Sequence, residues 1–162
     1  MAGAHNRPDL PEPGSAAGLR IGLIRSRWNA ELVDRLTAGA EAALQHCGVS
    51  ETVHVQVAGA LELPFATNVV ARSGRVDAIV AMGAVVRGET THYEIVSQGC
   101  AAGLQQVQLE TQIPVTFGVL TVENEAQALA RSQPFPGANA AADAALAAVE
   151  LAQLAKEFGR MR

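Results

Sequence analysis

The sequence predicts a three-layer α/β/α domain built on a mostly parallel four-stranded sheet. Apolar runs alternate with amphipathic ones from about residue 19 to residue 158, and such β-α-β-α alternation favours an open parallel sheet with helices on both faces. The chain has 162 residues, the length of one domain. Its hydrophobic content of 49% and net charge of -4 allow a packed core and exclude disorder as the overall state.

Four segments are predicted as strands. Residues 19–24 form a short apolar run, and residues 52–57 alternate valine with polar side chains, which is the period of a strand. Residues 76–86 form a long β-branched run, as expected of a central strand buried on both faces. Residues 114–120 form the fourth strand.

Five segments are predicted as helices. They span residues 29–47, a short stretch opening at Pro64, residues 93–110, residues 123–131 and residues 139–158. In the first helix, one face carries Leu32, Val33, Leu36, Ala40, Leu44 and Cys47. In the last, alanine-rich helix, the side chains expected to point inward are Leu146, Val149, Leu154 and Phe158.

The N-terminal segment, the lengths of the apolar stretches and the balance of charge argue against several classes of protein. Residues 1–18 contain three of the seven prolines and no apolar segment typical of a secretion signal, so we expect a flexible arm before a single domain at 19–162. No apolar stretch reaches the 18 or so residues of a membrane span. Twelve basic against sixteen acidic residues, without a basic run, argue against nucleic-acid binding.

The two cysteines carry little functional signal. Cys47 and Cys100 lie in predicted helices and are expected to be buried, reduced thiols. A disulfide or metal site would require more ligands or an oxidising compartment. The expected location is therefore the cytoplasm.

Three unusual residues follow three different strands. Trp28, the single tryptophan, follows the first strand, Glu62 follows the second and His92 follows the third. In parallel sheets, ligands bind beyond the carboxyl ends of the strands. Each residue also has an ordinary interpretation, as a packing residue at a helix start, a solvated strand end or an exposed histidine. Their placement at one edge of the sheet favours a shared site.

The segment before the third helix has the pattern of an anion site. Thr91 and Glu94 have the spacing of a capping box, in which Thr91 caps the helix and Glu94 bonds back to it. The N–H groups of residues 88–90 and of the first helical turn, together with the helix dipole, attract anions. That field disfavours the imidazolium form of His92, so a neutral His92 that accepts a proton is expected.

Five motifs in order resemble the lumazine synthase family. They are SRWN at 26–29, GALELP at 59–64, RGETTHY at 87–93, IPVTFGVLT at 113–121 and EAQALAR at 125–131. Each motif alone is weak, but together they are highly specific, and the resemblance extends from about residue 19 to residue 155.

The resemblance implies a flavodoxin-like fold and a transferase of riboflavin biosynthesis. Such enzymes condense 5-amino-6-(D-ribitylamino)uracil with 3,4-dihydroxy-2-butanone 4-phosphate and release phosphate and water, with no cofactor or metal. Sites between subunits of a homopentamer are implied, and riboflavin synthase is a candidate partner.

The resemblance also assigns roles by motif position. Trp28 would stack on the pyrimidine, and His92 would move protons during imine formation and phosphate elimination. The remaining substrate-binding positions would be Ala60, Leu61 and Glu62 for the ribityl chain, Val85 and Val86 for the uracil, Glu89, Thr90 and Arg131 for the phosphate, and Phe117 from a neighbouring subunit.

Two departures from the family pattern keep alternatives open. Where the family carries Asn-Lys-Gly before the last helix, this chain has Asn139-Ala140-Ala141, so a phosphate-binding lysine is missing unless Lys156 or Arg160 replaces it. Glu89 also places an acid at the anion site. The alternatives are a weakened paralogue that binds a ribityl or flavin-type ligand, or a protein serving mainly in assembly. A long break at 132–137 favours a free pentamer over an icosahedral shell.

Overall fold

The computed structural model describes residues 9–159 and contains the predicted elements in the predicted order. The strands are β1 (Arg20–Ser26), β2 (Glu51–Val57), β3 (Ala78–Val86) and β4 (Val115–Val122). The helices are α1 (Ala30–His46), α2 (Leu63–Ala71), α3 (His92–Thr111), α4 (Glu125–Ala130) and α5 (Ala140–Glu157), with a 3₁₀ turn at Ala60–Glu62 before α2. Residues 1–8 of the predicted arm, and Arg160, lie outside the described residues.

The four strands form one parallel sheet in the order β2-β1-β3-β4, which confirms the predicted fold class. The chain moves outward from β1 to β2 and then crosses back to β3 on the other side of β1. All four strands end at the same border of the sheet, the carboxyl edge. Such a change of direction between two central strands leaves a crevice in which parallel sheets bind ligands.

Helices cover both faces of the sheet. One apolar cluster joins α1 and α5 to the sheet, and the other joins α2 and α3 to its opposite face. The predicted inward face of α1 is buried throughout. The predicted inward orientation of Leu154 and Phe158 is wrong, because these side chains are 49% and 69% exposed. The buried side of α5 consists of small residues that allow a close approach to α1: Ala141, Ala142, Ala144, Ala145, Ala148, Val149 and Ala152.

Residues 9–18 pack against the end of α1. The Ala16 N–H donates to the Cys47 carbonyl at 2.7 Å, and the Gly14 N–H donates to the His46 carbonyl at 3.2 Å. Cys47 and Cys100 are free and buried, as predicted. Within residues 9–159, none of the helices has the length and apolarity to cross a membrane.

Asn139 fixes the start of α5 against α1 although its side chain is buried. Its Oδ1 accepts the N–H groups of Ala141 and Ala142 at 3.1 and 3.0 Å, which caps the helix. Its Nδ2 donates to the carbonyls of Arg35 and Gln133 at 3.1 and 2.9 Å. One amide therefore satisfies four backbone groups and joins three segments of the chain.

Gly39 on α1 supplies the space that Asn139 occupies. A Cβ at Gly39 would lie 2.2 Å from Asn139 Nδ2 and 2.4 Å from its Cγ. Both distances are far below van der Waals contact. Glycine at this helical position therefore serves packing, since alanine would form a better helix.

We predict that Gly39→Ala lowers the free energy of unfolding by about 2–4 kcal/mol, because displacing Asn139 removes a cap and leaves buried groups unpaired. Urea unfolding followed by circular dichroism measures the change. Ala38→Ser, on the exposed side of the same helix, is the control. A Gly39→Ala variant as stable as the wild type would contradict this packing account.

An ion pair joins β1 and β3 at the edge where the strands begin. Arg20 Nη2 and backbone N–H each donate to the Asp77 carboxylate at 2.8 Å, and the Asp77 N–H returns a bond to the Arg20 carbonyl at 2.7 Å. Burial would raise the pKa of Asp77, but the hydrogen bonds and charge of Arg20 hold that pKa below its ordinary value.

This pair predicts an acid-dependent loss of stability. Because the folded pKa of Asp77 is depressed, the unfolded chain binds more protons, and stability rises with pH in this range. The stabilisation by this ion pair is fully present at pH values above the pKa of the unfolded chain, about 3.9, and is lost as the pH falls through the pKa of Asp77 in the folded protein. Urea unfolding from pH 7 to pH 3 should show a smaller acid loss for Asp77→Asn than for the wild type. Equal losses in both proteins would refute the assignment.

Candidate active site

The turn after β1 presents Trp28 to solvent at the carboxyl edge. Asn29 has φ of +58°, a left-handed conformation that asparagine tolerates. Its Nδ2 donates to the Ala84 carbonyl of β3 at 2.8 Å, and the Trp28 N–H donates to the Ala58 carbonyl at 3.2 Å. These bonds fix the turn while 73% of Trp28 stays exposed. Sequence reasoning missed the bridging role of Asn29, for which no period or spacing gives a signal.

Trp28 and Glu62 meet above Gly59, as the sequence predicted for two of the three unusual residues. The Gly59 N–H donates to Glu62 Oε2 at 2.8 Å. A Cβ at Gly59 would lie 2.9 Å from that oxygen and 3.2 Å from Trp28 Cδ1. Glycine therefore allows the indole and the carboxylate to pack closely against the same backbone position. Glu62 Oε1 makes no hydrogen bond with any of residues 9–159, so it is available to a ligand.

Two glycines on α3 position the turn that carries Glu62. A Cβ at Gly99 would lie 2.9 Å from Leu61 Cδ1, and one at Gly103 would lie 2.7 Å from Pro64 Cγ. The two glycines are about one turn apart, so they form a groove on one side of α3. His92 lies seven residues before Gly99, about 10 Å along the helix toward the carboxyl edge.

The β3–α3 segment begins α3 at His92, but the predicted capping box is wrong. Thr91 occupies the cap position without a side-chain hydrogen bond to the helix. The Glu94 carboxylate binds the Arg87 guanidinium instead. A charge-assisted bond to a guanidinium is stronger than one to a neutral backbone N–H, which explains the difference. The His92 N–H reaches the Thr90 hydroxyl at 3.4 Å.

The backbone of the predicted anion site is open. Within the described part of the chain, the N–H groups of Gly88, Glu89, Thr90 and Thr91 make no hydrogen bond. Glu89 and Thr90 are exposed, as is His92. Four unpaired donors next to a helix start form an arrangement suited to a phosphate.

The end of β3 brings one valine to the Trp28–Glu62 side. Val85 packs with the cluster of α2 and α3, whereas Val86 packs with the cluster of α1 and α5. Successive strand residues point to opposite faces. Val85 can thus offer its side chain to a ligand beside Glu62, while Val86 can reach it through its backbone.

Phe117 does not lie at the carboxyl edge. It is on the edge strand β4, five residues before the end of that strand at Val122 and about 16 Å below it at 3.3 Å per residue. Its side chain is 39% exposed. Arg131 follows α4, with Nη1 donating to the Gln127 carbonyl at 3.1 Å. Among residues 9–159, no hydrogen bond or ion pair joins Arg131 to Trp28 or Glu62.

A hollow of about 320 Å³ at the carboxyl edge is lined by Arg27, Trp28, Asn29 and Ala58. A groove of about 360 Å³ lies at the opposite end of the molecule, near Leu109 and Phe158. Its lining contains no acidic, basic or nucleophilic side chain. The side chains capable of chemistry therefore lie at the carboxyl edge, although the hollow there is smaller than the groove at the opposite end.

Comparison with known proteins agrees with this geometry. A family model described as 6,7-dimethyl-8-ribityllumazine synthase matches residues 18–156. The chain belongs to this family.

Relatives with the same name cover most of the chain. The 6,7-dimethyl-8-ribityllumazine synthase of Kineococcus radiotolerans is 49% identical over 125 residues, 77% of this chain and 76% of its own length. The protein of that name from Azoarcus sp. is 41% identical over 96% of this chain and 98% of its own length. The one from Xanthomonas oryzae pv. oryzae is 45% identical over 93% and 96%.

Of the two candidates for replacing the missing lysine of the lumazine synthase pattern, Lys156 lies away from the anion site, and Arg160 lies outside the described residues. Ala140 is half-buried at the start of α5, where its N–H donates to the Arg131 carbonyl at 2.9 Å. Lys156 lies at the other end of α5, where its charge acts on Asp77. It is therefore at the opposite edge of the sheet from the anion site.

Proposed function

We propose that this protein is a lumazine synthase of riboflavin biosynthesis. It condenses 5-amino-6-(D-ribitylamino)uracil with 3,4-dihydroxy-2-butanone 4-phosphate to 6,7-dimethyl-8-ribityllumazine, and it releases phosphate and water. The observation that carries this proposal is the family match over residues 18–156, with Trp28 and Glu62 both packed against Gly59 at the carboxyl edge.

The first substrate binds to the Trp28–Glu62 side. The exposed indole of Trp28 stacks on the pyrimidine, a contact worth about 0.5–1.5 kcal/mol beyond area burial. The free Oε1 of Glu62 accepts ribityl hydroxyls, with help from the backbone of Ala60 and Leu61. Val85 flanks the uracil through its side chain, and Val86 does so through its backbone.

The phosphate of the second substrate binds at the anion site. The phosphate oxygens accept hydrogen bonds from the unpaired N–H groups of Glu89 and Thr90 and from the Thr90 hydroxyl. Glu89 contributes through its backbone, since its exposed side chain can remain in solvent. Arg131 supplies a planar, bidentate counter-charge.

His92 moves protons during the condensation. The 5-amino group of the uracil adds to the ketone and water leaves, which gives an imine. Loss of phosphate leaves an enol, which tautomerises to a ketone. The ribityl-bearing nitrogen adds to this carbonyl, and loss of a second water closes the ring. His92 accepts and returns the protons of these steps. Much of the acceleration comes from holding two reactants together, an effect that supplies about 7–11 kcal/mol.

The enzyme acts as a homopentamer with sites shared between subunits. Phe117 lies well below the carboxyl edge in one chain. Arg131 makes no hydrogen bond or ion pair with Trp28 or Glu62 among residues 9–159. Both observations support action at the site of a neighbouring subunit. The break at residues 132–137 favours a free pentamer over a larger shell, and native mass spectrometry measures the state directly. The location is the cytoplasm, and riboflavin synthase is the candidate partner that consumes the product.

We expect the wild type to form the lumazine chromophore when both substrates are mixed, and His92→Ala to lower kcat about 100-fold without abolishing it. Absorbance of the product measures the rate. His54→Ala, at an exposed histidine of β2, is the control and should retain full activity. Absence of product from the wild type would refute the function, and a wild-type rate in His92→Ala would remove His92 from the mechanism.

Ala140→Lys should lower the KM for the butanone phosphate roughly tenfold, because it adds a cation beside Arg131. Steady-state kinetics at saturating ribitylaminouracil provide the test, with Ala140→Met as the uncharged control. Turnover by Ala140→Lys alone, with an inactive wild type, would identify the native chain as a weakened relative. An unchanged KM for the butanone phosphate would show that the native site binds the phosphate fully without this lysine.

A further inference from the structure

Arg87 lies at the junction between β3 and the anion site. Its N–H donates to the Val122 carbonyl of β4 at 2.9 Å, so its backbone still belongs to the sheet. The next residue, Gly88, begins the open segment whose N–H groups are unpaired. Arg87 is therefore the last anchored residue before the phosphate-binding backbone.

The Arg87 side chain joins two other elements at the carboxyl edge. Nη1 donates to the Glu94 carboxylate in the first turn of α3. Nε forms an ion pair with Glu123 Oε2 at 2.6 Å, just before α4. The guanidinium carbon lies 4.1 Å from the centre of the Tyr93 ring. One planar cation thus contacts both residues that follow His92 and the segment after β4.

Glu94 and Glu123 both pair with the Arg87 guanidinium and neutralise its charge. The hydrogen bond from Arg87 lowers the pKa of Glu94. The second oxygen of Glu94, Oε2, is buried without a hydrogen-bond partner among residues 9–159, so Arg87 is the group that compensates this carboxylate. A guanidinium bound to two carboxylates is poorly placed to bind a third anion directly. Any effect of Arg87 on phosphate therefore acts through the groups that it holds.

The anion site has few other restraints. Between Arg87 and α3, the described residues contribute one side-chain contact, from the Thr90 hydroxyl to the His92 N–H at 3.4 Å. The positions of the Glu89 and Thr90 N–H groups thus depend on the two ends of the segment. Arg87 is one end, and through Tyr93 and Glu94 it also holds the other.

We propose that Arg87 is the positioning residue of the anion site, holding residues 88–91 in the conformation that receives the butanone phosphate. This inference rests on the proposed function, which it deepens by adding a residue that sets affinity for one of the two substrates. Misplacement of a functional group by about 1 Å can lower activity on the order of 100-fold. Because residues 88–91 stay tethered at both ends, we expect a smaller loss of phosphate affinity.

The test compares Arg87→Met with Arg72→Met, which removes an exposed arginine paired to Glu110 at 3.8 Å, away from the anion site. Arg87→Met should raise the KM for the butanone phosphate about tenfold, while the KM for ribitylaminouracil changes less than about twofold. Arg87→Lys should recover part of the affinity, since it keeps the charge without the planar double contact. Arg72→Met should match the wild type. Equal rises in both KM values, or an unchanged KM for the phosphate substrate, would overturn the proposal.

A triple variant separates positioning from simple masking of negative charge. Arg87→Met combined with Glu94→Gln and Glu123→Gln removes both acids that could repel the phosphate. Positioning predicts that the high KM persists, whereas full recovery would show that Arg87 only masks the acids and would refute its positioning role.

Binding of inorganic phosphate, measured by calorimetry, distinguishes failure of this inference from failure of the proposed function. If the wild type makes no lumazine but binds phosphate more tightly than Arg87→Met, the positioning role stands and the reaction fails. If the two proteins bind phosphate equally, or neither binds it, the positioning role fails.

Discussion

Parallel pairing of β1 with β3 is the constraint on which the site depends. Because β2 and β4 flank this pair in the same direction, every segment that follows a strand starts from the carboxyl edge. Asn29 spans the two central strands by donating to the Ala84 carbonyl. Residues far apart in the chain, such as Trp28 and Glu62, therefore lie near the same backbone position at this edge.

The two helix starts at this edge are prepared differently for an anion. At α5, Asn139 already occupies the N–H groups of Ala141 and Ala142 in the space left by Gly39. At α3, the Glu94 carboxylate turns to Arg87 and leaves the preceding backbone N–H groups unpaired. The buried amide makes the α5 start a structural joint, so the donors for a phosphate come from the α3 side.

The sequence predicted most of the fold because its strongest signals are periodic. The buried face of α1 and the buried run of β3 follow directly from apolar spacing. The orientation of Leu154 and Phe158 was missed because α5 packs through alanines, so large apolar residues do not mark its inner side. Trp28 and Glu62 were predicted together because the carboxyl-edge rule requires only strand order. The pairing of Glu94 with Arg87 was missed because short motifs do not reveal competing long-range partners.

The exposure of the site agrees with the proposal that a second subunit completes it. Trp28 is 73% exposed, and Phe65 at 76% and Ile95 at 61% lie on the helices next to it. Apolar surface of this kind beside a binding site marks an interface, because leaving it in water costs free energy that burial against another surface recovers. Phe117 on β4 adds a further exposed aromatic residue away from the carboxyl edge. Under the proposed function, covering the α2–α3 face with the β4 side of a second copy would bring Phe117 to the site, so that assembly would complete it.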